Sequence, residues 1–218
     1  METDTEIPTY SFYYLESNSK VTPYVPPHFR DWQWPDFICE TGQAPAIVDA
    51  LQQYEKGCLQ GQTRPLLLYG DPGGGKTAAS AVLFRNIGIY IPPRDDRSYE
   101  YANTLDNFAW VDCAKLPDLF KAKGHKLNHI RSAKLVVLDD IDKCPGGGWS
   151  TALHDLINER LCKRPSITVV SMNTSPREFQ IKHGEYGRPM WDRFVRTNAV
   201  VVKLATVKKL GYQETPQG

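Results

Sequence analysis

The chain has 218 residues and a formal net charge of +1, enough length for one α/β domain with a sizeable core and too little charge to point globally toward nucleic acid or membrane. No apolar run approaches the ~20 residues needed to span a bilayer, and the acidic, polar start METDTEIPTY is no secretory signal. The five cysteines contain no C-x-x-C pair, which argues against a zinc site or disulfide framework and for a reduced, cytoplasmic protein.

Residues 1–27 carry several prolines and tyrosines and no helical period, and read as a flexible N-terminal arm or a partner-binding segment. His28 to Phe37, HFRDWQWPDF, is dense in aromatics, which either pack on the core or wall a nucleotide base. Ala46 to Leu59 reads as a helix with Ile47, Leu51, Tyr54 and Cys58 on one face.

The most informative stretch is Leu66 to Thr77, LLLYGDPGGGKT. Four apolar residues suggest a buried strand, a glycine-rich turn follows, and an alanine-rich helix then runs to about Asn86. Gly70, Gly75, Lys76 and Thr77 fit the phosphate-binding pattern G-x-x-x-x-G-K-[ST]. Backbone N–H groups must point into a concave loop to hold phosphate oxygens, and glycines tolerate the dihedrals this requires. The cradle runs through Gly70, Asp71, Pro72, Gly73, Gly74, Gly75, Lys76, Thr77 and Ala78. The helix aims its positive end at the same anion. Lys76 is expected to reach the β- and γ-phosphates of ATP, and the Thr77 hydroxyl to ligate Mg²⁺.

Ile91 to Tyr101 reads as a polar loop with two prolines, and Phe108 to Val111 as a second strand. Leu116 to Phe120 begins a helix with Pro117 in its first turn. The basic run Lys121, Lys123, His125, Lys126, His129 and Arg131 is either a solvated face or a contact for a DNA backbone.

Leu135 to Leu138 and the acids Asp139, Asp140 and Asp142 form an apolar strand ending in carboxylates, the Walker B pattern. Asp139 is expected to hold Mg²⁺ beside Thr77. Asp140 is expected to orient or deprotonate the attacking water, and Asp142 to lie at the surface. Trp149 to Lys163 reads as an amphipathic helix ended by Pro165, with Trp149, Leu153, Leu156, Ile157 and Leu161 inward. Ile167 to Val170 is a fourth strand that delivers Ser171, Met172 and Asn173. Arg188 to Val195 reads as a short helix carrying Arg193, Ala199 to Val202 as a fifth strand, and residues 207–218 as a polar tail.

This alternation predicts a three-layer α/β/α P-loop NTPase with a five-stranded parallel sheet, spanning residues 28–206, with no separate C-terminal lid. The site belongs at the carboxyl ends of the strands.

VPPHFRDWQWPDF, LLLYGDPGGGKT, LVVLDDID, LHDLINERLCKRPSITVVSMNTSP and MWDRFVR, in that order between Val25 and Lys203, resemble the AAA+ ATPases of the bacterial DnaC-type helicase loaders and the related IstB-type transposition ATPases. The resemblance implies that Asn173 is a γ-phosphate sensor and that Arg193 is an arginine finger acting on ATP held by a neighbouring copy. It further implies self-assembly into an oligomer, binding of single-stranded DNA and placement of a replicative helicase, or a transposase, on DNA. The chain departs from the family in its short region before Val25 and in having only Lys208 and Lys209 where a second-sensor arginine is expected. A superfamily III-like viral helicase, a small-molecule P-loop kinase and a scaffold that binds ATP without hydrolysing it remain open alternatives.

Overall fold

The apolar runs at 66–68 and 135–138 and the run at 167–172 fold here as strands buried on both faces, whereas the edge strand at 200–203 is largely exposed. The strands form a five-stranded sheet in the order β2-β3-β4-β1-β5, with β1 Leu66–Tyr69, β2 Phe108–Asp112, β3 Leu135–Asp139, β4 Ile167–Met172 and β5 Val200–Lys203. Every pairing is parallel, as the alternation predicts. The computed structural model describes residues 21–91, 107–122, 125–163 and 166–206. The arm before residue 21, most of the loop after Ile91, Lys123, Pro165 and the tail with Lys208 and Lys209 lie outside the described residues.

Side chains alternate across the sheet. Leu66 and Leu68 face one core layer with Leu135, Val137 and Val169, whereas Leu67 faces the other with Val136, Leu138 and Val170. The first layer is covered by helices α1 Trp34–Thr41, α2 Pro45–Leu59 and α3 Lys76–Ile89. α3 is apolar nearly all round, so it is buried rather than amphipathic. Glu55 of α2 ties this layer together, accepting from Trp34 Nε1 at 2.8 Å and Asn86 Nδ2 at 3.1 Å. Packing begins ahead of His28: Val21 and Val25 are buried in this layer, and Arg30 anchors the segment through Val25 O at 3.2 Å.

The second layer is covered by α6 Gly148–Asn158, α7 Pro176–Lys182 and α8 Gly187–Arg196, with α4 Leu116–Ala122 and α5 His125–Ser132 beside β2 and β3. The inward face expected for α6 is observed, with Leu153, Leu156 and Ile157 fully buried. The α-helix, however, stops at Asn158, and Glu159–Lys163 widens into a π turn. That turn carries Arg160, which is buried and bonds to main-chain carbonyls around the start of β3 and β4. No helix among the described residues is long and apolar enough to cross a membrane.

Candidate functional site: a phosphate cradle facing a Walker B carboxylate

The glycine-rich loop lies between β1 and α3, at the carboxyl edge of the sheet. Two of its glycines are fixed by their surroundings. At Gly70, φ is +133° and a Cβ would stand 2.0 Å from the Leu204 carbonyl, so the segment after β5 leaves no room for a side chain. At Gly75, φ is +83° and a Cβ would stand 2.6 Å from Thr41 Cγ2, where the end of α1 abuts the start of α3. The loop is strapped from behind. Gln43 Nε2 donates to Gly74 O at 2.9 Å and to Ala205 O at 2.6 Å, and Thr206 Oγ1 donates to Pro72 O at 2.7 Å.

Lys76 is buried, and its ammonium donates to Gly70 O at 2.8 Å and Asp71 O at 2.6 Å, curled across the loop it is expected to complete. Burial pushes its pKa down, and the carboxylates of Asp140, Asp142, Asp71 and Asp139 oppose that shift by favouring the ammonium.

β3 and β4 supply the opposite wall. Asp139 Oδ1 accepts from Thr77 Oγ1 at 3.2 Å and from Ser171 Oγ at 2.6 Å. Ser171 Oγ also accepts the Asp140 backbone N–H at 2.8 Å. That bond holds Asp140 in the left-handed region, φ +53°, a conformation that a non-glycine residue adopts at a cost. Asp140 Oδ1 accepts from Asn173 Nδ2 at 2.8 Å, and Asp140 Oδ2 pairs with Lys143 Nζ at 2.6 Å.

Asp142 is corrected by the structure. It is nearly buried rather than at the surface, because its Oδ1 accepts the Asn173 backbone N–H at 2.9 Å and fixes the end of β4.

Burial raises the Asp139 pKa, with the Ser171 hydrogen bond opposing the shift. A desolvated carboxylate next to a hydroxyl is a donor set that calls for a cation. No cluster of three or more His, Cys, Asp or Glu able to hold a metal occurs among the described residues. Thr77 and Asp139, whose side-chain oxygens lie 3.2 Å apart, are the residues that could hold a Mg²⁺ ion, which takes one or two protein oxygens and completes its shell with water and phosphate.

A cavity of about 460 Å³ joins these parts. Its lining includes Gly73, Gly75, Lys76, Thr77, Ala78, Asp140 and Asn173, together with His28, Phe29 and Trp32. The aromatics expected as a base wall do reach the cavity, and Phe29 and Trp32 stack edge to face at 4.9 Å. A second cavity of about 880 Å³ lies on the β2 side, lined by Trp110, Leu119 and Ile130, and shares Thr77, Asp140 and Lys143 with the first.

Arg193 is not brought to this cavity within its own chain. Its Nε donates to Asn158 Oδ1 at 2.9 Å and its Nη1 to Pro189 O at 3.4 Å, bridging α8 to α6. Of the basic run, Lys121 lies over the Trp149 ring at 5.5 Å, Lys126 is exposed, and His129 bonds to Phe108 O at 2.8 Å. Gln43 and Lys143 carry no motif and were not foreseen. Gln43 is recognisable only once the chain after β5 is seen to lie under the loop.

No protein-family model matches the chain, and no curated protein matches it. Solved structures do. A protein assigned as a primosome component of Streptococcus pyogenes serotype M3 superposes with a TM-score of 0.60 at 14% identity, over 87% of this chain and 98% of that one. The chain shares the fold of that structure, a parallel sheet between two helical layers. The DnaC helicase loader matches with a TM-score of 0.52 at 16% identity, over 72% and 89% of the two chains. The replication initiator DnaA, solved with AMPPCP and single-stranded DNA, matches with a TM-score of 0.55 at 16% identity, over 83% of this chain and 51% of that one. At these identities the fold is what is shared; the roles of the site residues rest on their geometry.

Proposed function

We propose that this chain binds and hydrolyses Mg–ATP as a DNA-replication AAA+ protein that helps place a replicative helicase on single-stranded DNA. The observation that carries the reading is the hydrogen-bonded set Thr77–Asp139–Ser171–Asp140–Asn173, of which Thr77, Asp140 and Asn173 line one cavity with Lys76. That is the donor set a terminal phosphoryl transfer to water requires. Lys76 and the loop N–H groups bind the phosphates. Thr77 and Asp139 hold Mg²⁺, which when bound supplies charge neutralisation on the phosphate oxygens. Asp140 accepts the proton of the attacking water, and Asn173 holds the Asp140 carboxylate in place at the γ-phosphate end.

The replication role rests on the likeness to the primosome component, the DnaC helicase loader and the AMPPCP- and single-stranded-DNA-bound DnaA. On this reading the protein is cytoplasmic and self-assembles, Arg193 serves the ATP site of a neighbouring copy, and Lys121, Lys126 and Arg131, with Lys123, contact DNA phosphates. The ATPase domain on this reading includes the segment from Val21, which is buried in its first core layer, and runs to residue 206. The test is the ATPase rate with and without single-stranded DNA, run beside size-exclusion chromatography in each nucleotide state. Capture of a replicative helicase rather than a transposase supports the loader role over transposition. Hydrolysis indifferent to DNA, by a protein monomeric in every nucleotide state, contradicts it.

One observation favours a second reading. The 880 Å³ cavity meets the nucleotide cavity at Thr77, Asp140 and Lys143, where the acceptor of a small-molecule phosphotransferase would sit. Phosphate transfer to a metabolite, unaffected by DNA, would establish it.

A further inference from the structure

Lys143 closes the 3-10 turn Ile141–Lys143 that follows β3, and its backbone N–H donates to Asp140 O at 2.8 Å. Its side chain is 54% exposed, and its ammonium lies 2.6 Å from Asp140 Oδ2. Asn173 Nδ2 occupies the other oxygen, Oδ1, at 2.8 Å. Both oxygens of the carboxylate expected to take a proton from water therefore already hold a donor. Each oxygen keeps a further lone pair, and the ammonium on Oδ2 takes one of the positions at which a water could dock. Lys143 also lines the same cavity as Lys76 and Thr77. Its stem is tethered by the turn, while its four-carbon chain and rotatable ammonium leave the charge free to choose between anions inside that cavity.

The competition can be sized. A half-exposed lysine–carboxylate pair favours contact by only about fivefold. A charge-assisted hydrogen bond to a phosphate oxygen favours contact by about tenfold or more.

We propose that Lys143 is a triphosphate-sensing residue, whose ammonium rests on Asp140 Oδ2 until a γ-phosphate enters the cavity, then moves to that phosphate and frees Asp140 for the attacking water. ADP has no group at that position and leaves the Lys143–Asp140 pair closed. The inference rests on the ATP-site reading above and adds to it a residue that distinguishes tri- from diphosphate and couples that distinction to the catalytic carboxylate.

The test is equilibrium binding of ADP and ATP, each with Mg²⁺, to the full chain and to Lys143→Met, Lys143→Arg, Asp140→Asn and Asp140→Asn/Lys143→Met. Lys143→Met is expected to weaken ATP about tenfold and to change ADP less than twofold, which also reports that the variant is folded. Lys143→Arg is expected to restore most of the ATP preference. Asp140→Asn is expected to tighten ATP binding more when Lys143 is present than when Met replaces it, since only then is a cation released. Nucleotide binding by wild type with the same ATP-to-ADP affinity ratio in Lys143→Met overturns the inference and leaves the ATP site standing. An equal gain from Asp140→Asn in both backgrounds also overturns it. Failure of wild type to bind either nucleotide overturns the ATP-site reading itself, and this inference with it.

Discussion

The Ser171 hydroxyl, on β4, donates to Asp139 Oδ1 at 2.6 Å across the strand pairing that joins β3 and β4. Ser171 Oγ in turn accepts the Asp140 N–H at 2.8 Å, so one serine positions both Asp139 and Asp140. Partners that orient a metal-binding carboxylate are typically worth 10–100-fold in metal affinity. Ser171→Ala is expected to raise the Mg²⁺ concentration needed for half-maximal binding of a fluorescent ATP analogue by about tenfold. A Mg²⁺ titration that superimposes on wild type would remove Ser171 from the site.

Arg160 is a stability determinant. It is 1% exposed, and its guanidinium donates to Ala133 O at 2.5 Å, Ile167 O at 3.1 Å and Thr168 Oγ1 at 3.1 Å, with longer bonds to Ile130 O and Arg131 O. Arg160→Met fills similar volume and strands those acceptors. The expected loss is about 2–4 kcal/mol, read as a shift of the urea unfolding midpoint at unchanged slope. A midpoint equal to wild type would show that water satisfies the carbonyls instead.

The parallel sheet and the strand–glycine loop–helix unit were legible because their signals are local: apolar runs of strand length, a complete G-x-x-x-x-G-K-T, and acids at a strand end. Helices α1, α5 and α7 were not assigned from sequence. α1 hid in an aromatic cluster and α5 in a basic run, yet α7 carries a readable capping box, Ser175 with Glu178, whose bonds are 2.7 and 3.3 Å. Asp142 was misplaced because nothing local announces that the Asn173 N–H will need its carboxylate. Gln43 was invisible for the same reason, since its partners Gly74 and Ala205 are brought together only by the finished sheet.

His183 makes acid stability measurable. It is buried beside Phe179, its Nδ1 lies 3.0 Å from Ser150 Oγ, and burial with the neighbouring Lys182 charge lowers its pKa from 6.5 to about 4. The unfolded chain therefore binds a proton near pH 6.5 that the folded chain refuses until about pH 4. Stability contributed by the neutral ring is full above pH 6.5 and falls as pH drops toward 4. The full loss is about 3 kcal/mol. Unfolding midpoints measured from pH 7 to 4.5 are expected to fall more steeply for wild type than for His183→Gln. Parallel curves would show that His183 titrates normally.

Arg193 bridges α8 to Asn158 in its own chain and does not line the cavity beside Lys76 and Thr77. Arg193→Ala is expected to bind ATP but hydrolyse it poorly, since a guanidinium supplied in trans is worth ~10³–10⁵ in rate in GTPase systems. Mixed with Lys76→Ala, itself inactive, it is expected to regain partial activity that rises with protein concentration. A mixture that co-assembles and stays inactive would assign Arg193 to its bond with Asn158, and would pass the finger role to Arg188 or Arg196.

The central claim is that Asp140 activates water against ATP bound by Lys76, Thr77 and Asp139. Single-turnover hydrolysis of pre-bound Mg–ATP, wild type against Asp140→Asn, tests it most directly. The account predicts that Asp140→Asn retains Mg–ATP and hydrolyses it roughly 10²–10⁴-fold more slowly. Equal single-turnover rates for the two proteins would contradict it.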